Sequence, residues 1–128
     1  MRVGTTSFGF RYLLLDPARA PALESLIDRA RALGLDVLQI CENARPMQLG
    51  QREWQKVVDR AMEAGLEIQL GAKTVDLEVF RAYAERAARL PARLLRLVLE
   101  WEEGPAPRHR ESLRRALRGA GRGGRFLP

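Results

Sequence analysis

The chain is poor in the residues from which most metal and redox sites are made. Cys41 is the only cysteine and His109 the only histidine among 128 residues. A single cysteine excludes an internal disulfide and fits a reducing, cytoplasmic setting. A single imidazole cannot build a histidine-rich metal centre. No run of 18 apolar residues occurs, so no membrane-spanning helix is expected. The opening MRVGTTSFGF lacks the apolar core of a secretory leader. GxGxxG, P-loop, CxxC and GxSxG patterns are all missing, which removes the common nucleotide, redox and hydrolase signatures.

What is present is a regular alternation of short apolar runs and helical patterns. Strand candidates cover residues 2–7, 36–41, 66–71 and 94–99, with starts 34, 30 and 28 residues apart. Alternation of this kind predicts βα units on a parallel sheet. A complete (β/α)₈ barrel uses roughly 250 residues. The expected fold is therefore α/β, half of a TIM barrel with about four strands and four helices. With 46% hydrophobic and 30% charged residues, the chain can bury a core.

Local signals place the elements. Leu23, Leu26, Ile27, Ala30 and Leu33 form an apolar stripe behind Pro21, a first-turn proline, and ahead of Gly34. Trp54, Val57, Val58, Ala61 and Met62 form a second stripe, stopped by Gly65. Asp76 is the expected N-cap of a third helix, and Pro91 follows its end. The segment FGFRYLLLDPARAP reads as a loop.

The net charge of +6 is unevenly spread. Residues 1–103 hold 15 Lys+Arg and 15 Asp+Glu, whereas residues 104–128 hold seven Arg and one Glu. Residues 1–103 are expected to form the half-barrel. Residues 104–128 are expected to be a basic Arg/Gly-rich segment, a short helix followed by disorder. Such a tail either contacts phosphates or has no folded role. It has no aromatic residue but Phe126, so stacking on bases is not expected.

In a parallel α/β sheet, ligands bind at the C-terminal ends of the strands. Ser7 and Phe8, Glu42 and Asn43, and Lys73 occupy such positions. Glu42 could bind a metal, accept a sugar hydroxyl or take a proton, or it could cap a loop or pair with an arginine. Lys73 could neutralise a phosphate or carboxylate, or stand exposed in a loop. Arg96 lies within the fourth strand, where a buried charge is costly unless paired. It is read as a partner for Glu42 or as a ligand clamp. Glu100, Glu102 and Glu103 cluster after that strand and are either paired carboxylates or solvated loop charges. Cys41 reads as a buried structural thiol.

The stretches GTTSFGFRYLL, LDVLQICEN, EIQLGAKT and LLRLVLE, taken in order, resemble the sugar phosphate isomerase/epimerase family of xylose isomerase-like TIM barrels. Endonuclease IV shares that fold. The resemblance covers about residues 1–103. It implies a divalent-metal enzyme (Mn, Mg, Co or Zn) that moves a proton on a sugar, sugar phosphate or polyol through an enediolate. In that family the metal ligands come from later strands, so none is carried over here and no catalytic residue is assigned. Ser7, Phe8, Glu42, Asn43, Lys73 and Arg96 match substrate-contact positions. The reading that follows is the N-terminal half of such a barrel, inactive alone. Rival readings are a non-catalytic self-associating module and an endonuclease IV-like nucleic-acid binder. Open edges at the first and fourth strands invite a homodimer.

Overall fold

The computed structural model describes residues 1–98, Glu111, Arg114, Arg115, Arg118 and the backbone of Arg125–Leu127. The strands are β1 Gly4–Thr6, β2 Val37–Ile40, β3 Glu67–Lys73, β4 Leu94–Val98 and β5 Arg125–Leu127. The helices are α1 Arg11–Leu14, α2 Leu23–Ala32, α3 Gln51–Ala64 and α4 Leu77–Ala88. Strand order follows chain order, β1-β2-β3-β4-β5. This is an α/β fold of parallel strands alternating with helices, the pattern of half a TIM barrel. It falls into two units, Met1–Gln69 and Leu70–Pro128, whose boundary lies inside β3.

In the first unit, β1 runs parallel to β2 with Gly4 opposite Val37 and Thr6 opposite Gln39. A Cβ at Gly4 would meet Val37 Cβ at 2.8 Å and its carbonyl oxygen at 2.9 Å, so only glycine lets the strands close here. Helices α2 and α3 pack on one another. Leu26, Ile27, Trp54, Val57 and Ala61 are buried, and Arg60 pairs with Asp28 at 2.8 Å. Both helices end in the same way. Gly34 (φ 78°) and Gly65 (φ 70°) adopt the left-handed conformation. The next residue's N–H then donates back to the helix, Leu35 to Ala30 O at 3.0 Å and Leu66 to Ala61 O at 2.9 Å. The chain is thereby turned straight into the following strand.

Several expectations are corrected in this unit. Leu33 (69% exposed) and Met62 (63% exposed) leave their stripes. Leu33 sits at the C-cap of α2, past the turn that faces the core. Met62 directly follows Ala61, about 100° further round the helix, which turns it to water. Pro21 precedes the N-cap, Ala22, and so lies outside the helix. The supposed loop after β1 is instead a 3₁₀ turn, Ser7–Phe10, continuing into α1, where Leu14 is buried. Thr6 starts this turn, its hydroxyl accepting from the N–H of Phe8 at 3.2 Å.

In the second unit, β3 and β4 are parallel with Leu70 opposite Leu95, Gly71 opposite Arg96 and Lys73 opposite Val98. Leu70, Ala72, Leu95 and Leu97 are buried. Helix α4 packs on β4 and buries Phe80, Tyr83 and Ala87. Asp76 caps it, one carboxylate oxygen accepting from the N–H groups of Glu78 at 2.8 Å and Val79 at 3.2 Å.

The C-terminal segment departs from expectation at one place. Arg125–Leu127 run parallel to β4, with Leu94 opposite Arg125 and Arg96 opposite Leu127. Disorder was expected there and an open edge at the fourth strand. Unpaired N–H and C=O groups along β4 instead find a backbone partner. Glu111, Arg114, Arg115 and Arg118 are helical, and Glu111 pairs with Arg115 and Arg118, each at 3.4 Å. Glu100, Glu102, Glu103 and His109 lie outside the described residues.

Candidate functional site

Ser7, Phe8, Glu42 and Asn43 come together in the first unit, at the ends of β1 and β2. Ser7 opens the 3₁₀ turn after β1 and is fully buried. Its hydroxyl donates to Asn43 Oδ1 and accepts from the N–H of Cys41 at 2.9 Å. Asn43 Nδ2 donates back to the Ser7 carbonyl at 3.2 Å. The reciprocal pair ties the end of β1 to the 3₁₀ turn Glu42–Ala44 that follows β2. Phe8 is 43% exposed beside this clasp. Glu42 is half-buried, and its carboxylate makes no hydrogen bond or ion pair among the described residues.

Arg45 completes the clasp and was missed by the sequence reading. Its φ of 54° is left-handed, a strained position for a side chain other than glycine or asparagine. The guanidinium donates to the Leu14 carbonyl at 3.2 and 3.3 Å and to the Asn43 carbonyl at 3.4 Å. These bonds hold the end of α1 against the loop after β2. They also satisfy a helix-end carbonyl that has no partner within so short a helix. No sequence pattern marks this arginine.

A polar chain also crosses the first unit's strands. Gln39 Nε2 donates to Gln69 Oε1 at 3.3 Å, and Gln69 Nε2 donates to Glu67 Oε2 at 2.7 Å. Arg2 pairs with the other oxygen of Glu67 at 3.3 Å. At the opposite end the buried Cys41 thiol lies 3.9 Å from Gln39 Oε1. The amides are thus oriented in series toward a carboxylate, on a sheet face that is polar rather than apolar. Their signal in the sequence is one glutamine inside each of two apolar strands, LQI and IQL. Such a face suits a ligand bearing hydroxyl groups, which both donate and accept.

Lys73 and Arg96 belong to the second unit. Both are exposed. The expectation that Arg96 is a buried charge demanding a partner is corrected. Its neighbours Leu95 and Leu97 turn to the buried side of β4, which leaves Arg96 on the open side.

Among the described residues, no group of three His, Cys, Asp or Glu side chains is placed to hold a metal ion. The donors needed for the divalent metal of the resembled family are not assembled by them. Also among them, no helix is long and apolar enough to cross a membrane.

Comparison with known proteins gives one informative likeness. Over 97 residues, 75% of this chain, the sequence is 25% identical to 3-oxo-isoapionate decarboxylase of Pectobacterium atrosepticum. The chain covers 35% of that protein's length. No protein-family model matches the chain. No solved structure matches it.

Proposed function

We propose that this chain is the substrate-binding half of a sugar-handling enzyme of the sugar phosphate isomerase/epimerase type, which by itself turns nothing over. The observation that carries the reading is the likeness to 3-oxo-isoapionate decarboxylase across three quarters of the chain. Parallel βα units and the polar face of Gln39, Gln69 and Glu67 support it. In the first unit, Phe8 and Glu42 are the substrate contacts. Phe8 offers an apolar face to the ring or carbon chain, and the Glu42 carboxylate accepts from hydroxyls. Ser7, Asn43 and Arg45 are positioning residues that hold the two loops bearing those contacts.

The proton transfer of the resembled family needs a metal, and the described residues do not supply its ligands. No step of that chemistry is assigned to them. The chain's part is to bind and orient a polyhydroxylated substrate, and the reacting groups belong to later strands of a whole barrel.

Two measurements on the full chain test this. Saturation-transfer NMR with D-fructose and D-sorbitol should show binding that weakens in Glu42→Gln, with succinate as the control that does not bind. Incubation of D-fructose with Mn²⁺, Mg²⁺ or Co²⁺ in D₂O should leave its carbon-bound protons unexchanged. Polyol binding indistinguishable from succinate would remove the sugar reading. Chelator-sensitive deuterium exchange scaling with protein would show that the chain is catalytic alone.

A further inference from the structure

The outer edge of the first unit is unguarded. β1 stands at the end of the strand order and pairs with β2 alone. The Val3 carbonyl accepts from the N–H of Val37 at 3.3 Å. Alternate residues of a parallel strand turn their backbone groups to the same neighbour, so Val3 and Thr5 serve β2. The N–H and C=O of Gly4 and the N–H of Thr6 point the other way, where no described strand lies. Residues 3–10 contain no charge and no proline, two of the devices that keep sheet edges apart. Arg2, just before them, is held by Glu67 at 3.3 Å. β4 differs, because residues 125–127 of the same chain already pair with it.

Apolar surface flanks the β1 edge at both ends. Met1 and Val3 are exposed before it, and Tyr12 (75% exposed) and Leu15 (72% exposed) are exposed beyond it. Ser7 and Leu14 take the buried side of that second stretch, where Arg45 and the turn after β2 meet it. Tyr12 and Leu15 are therefore turned away from β2 and its loop. At about 200 Å² for an aromatic side chain, Tyr12 alone leaves about 150 Å² in water. With Leu15, Met1 and Val3, the apolar surface reaches the few hundred Å² that mark an interaction site. It falls short of the roughly 800 Å² per partner of a standard interface. Backbone hydrogen bonds must add to it, and the association it supports is weak and reversible.

We propose that β1 pairs antiparallel with β1 of a second copy of this chain, across a two-fold axis. A second copy fits because the edge is complementary to itself. With Thr5 of both copies on the axis, Gly4 of each copy lies opposite Thr6 of the other. Those are the residues whose backbone groups face outward, so they exchange N–H to C=O bonds, twice by symmetry. Thr5 meets Thr5, a cross-strand pair that stabilises sheets. The antiparallel run lays Met1 and Val3 of one copy beside the turn after β1 of the other, so the two apolar flanks cover one another. The inference goes beyond the functional reading and does not depend on it. In a whole barrel a later strand would take this edge.

The test uses the full chain with no sugar present. Sedimentation velocity from about 10 µM to about 1 mM, the range over which so small an interface dissociates, should show the 14.4 kDa monomer giving way to a species of twice that mass. Over the same range, amide hydrogen exchange at Gly4 and Thr6 should slow about tenfold, because those N–H groups gain partners only in the dimer. Val3→Lys and Tyr12→Glu, both at exposed positions, should each weaken the dimer about tenfold, since each sets a charge into the covered apolar surface. Retained spectral dispersion checks the fold of both. A chain that stays monomeric to about 1 mM overturns the dimer and leaves the edge to a later strand of a whole barrel. A dimer in which Gly4 and Thr6 exchange as fast as in dilute solution, or one that both substitutions leave unchanged, uses another surface and overturns the β1 pairing. Neither failure touches the sugar reading, which polyol binding decides.

Discussion

Met1–Gln69 holds nine Lys+Arg and nine Asp+Glu, whereas Leu70–Pro128 holds 13 and 7. The two units use the same βα alphabet, yet polar groups near their strand ends are treated differently. In the first, Ser7, Asn43 and Arg45 are consumed by hydrogen bonds that join one loop to the next. Gln39, Gln69 and Glu67 are likewise chained together. In the second, Arg96 is exposed on β4 and makes no hydrogen bond or ion pair among the described residues. A polar residue at a strand's C-terminal end is thus not one kind of thing. Where the backbone leaves N–H and C=O groups to be satisfied, the side chain is absorbed by the fold. Where the strands themselves satisfy the backbone, as around Arg96, the side chain is not drawn into the fold.

The largest effect that would break this contrast is expected at Ser7. Ser7→Ala strips partners from the buried Cys41 N–H and from Asn43, at about 1–3 kcal/mol for each group left unsatisfied. Urea unfolding should show the drop in midpoint. A loss below about 0.5 kcal/mol would mean that the clasp is not structural.

Arg45→Ala comes next, at about 1.5–3 kcal/mol, the usual worth of hydrogen bonds to a charged group. Arg45→Gly should cost less than Arg45→Ala, because glycine relieves the left-handed φ. The same unfolding measurement ranks the two, and the reverse order would remove the strain argument.

In the second unit, Asp76→Ala should cost about 1 kcal/mol through loss of the α4 cap. Asp76→Asn should recover most of it, since asparagine caps nearly as well. Thermal melts of the three proteins decide this. The smallest effect is expected at Arg96→Gln, within about 0.5 kcal/mol of the parent. A loss of several kcal/mol there would show that Arg96 is built into the fold and would erase the difference between the units.

Much of the architecture was legible before any coordinates. The βα period identified four strands, and Gly34, Gly65 and Asp76 marked helix ends correctly. Each of these signals is local: a left-handed turn needs a residue without Cβ, and a cap needs a short oxygen-bearing side chain. Leu33 and Met62 show where local reading stops. Both fit the apolar period, but the edge of a stripe is set by how far the neighbouring element reaches. The turn and short helix after β1 were hidden because four residues of helix carry too little periodicity to be seen.

The candidate site divides on the same line. From residue type and spacing came the positions of Ser7, Phe8, Glu42, Asn43, Lys73 and Arg96 at or within strands. The sequence by itself also determined the charge asymmetry and the scarcity of metal-binding side chains. What only the tertiary structure decided is which of those groups are already occupied. Ser7 meets Asn43 across 36 residues of chain, and Gln39 meets Gln69 across 30. The strand paired with β4 comes from residues 125–127. Hydrogen bonding depends on distance and angle in space, and strand register brings together groups whose separation along the chain carries no record of the meeting.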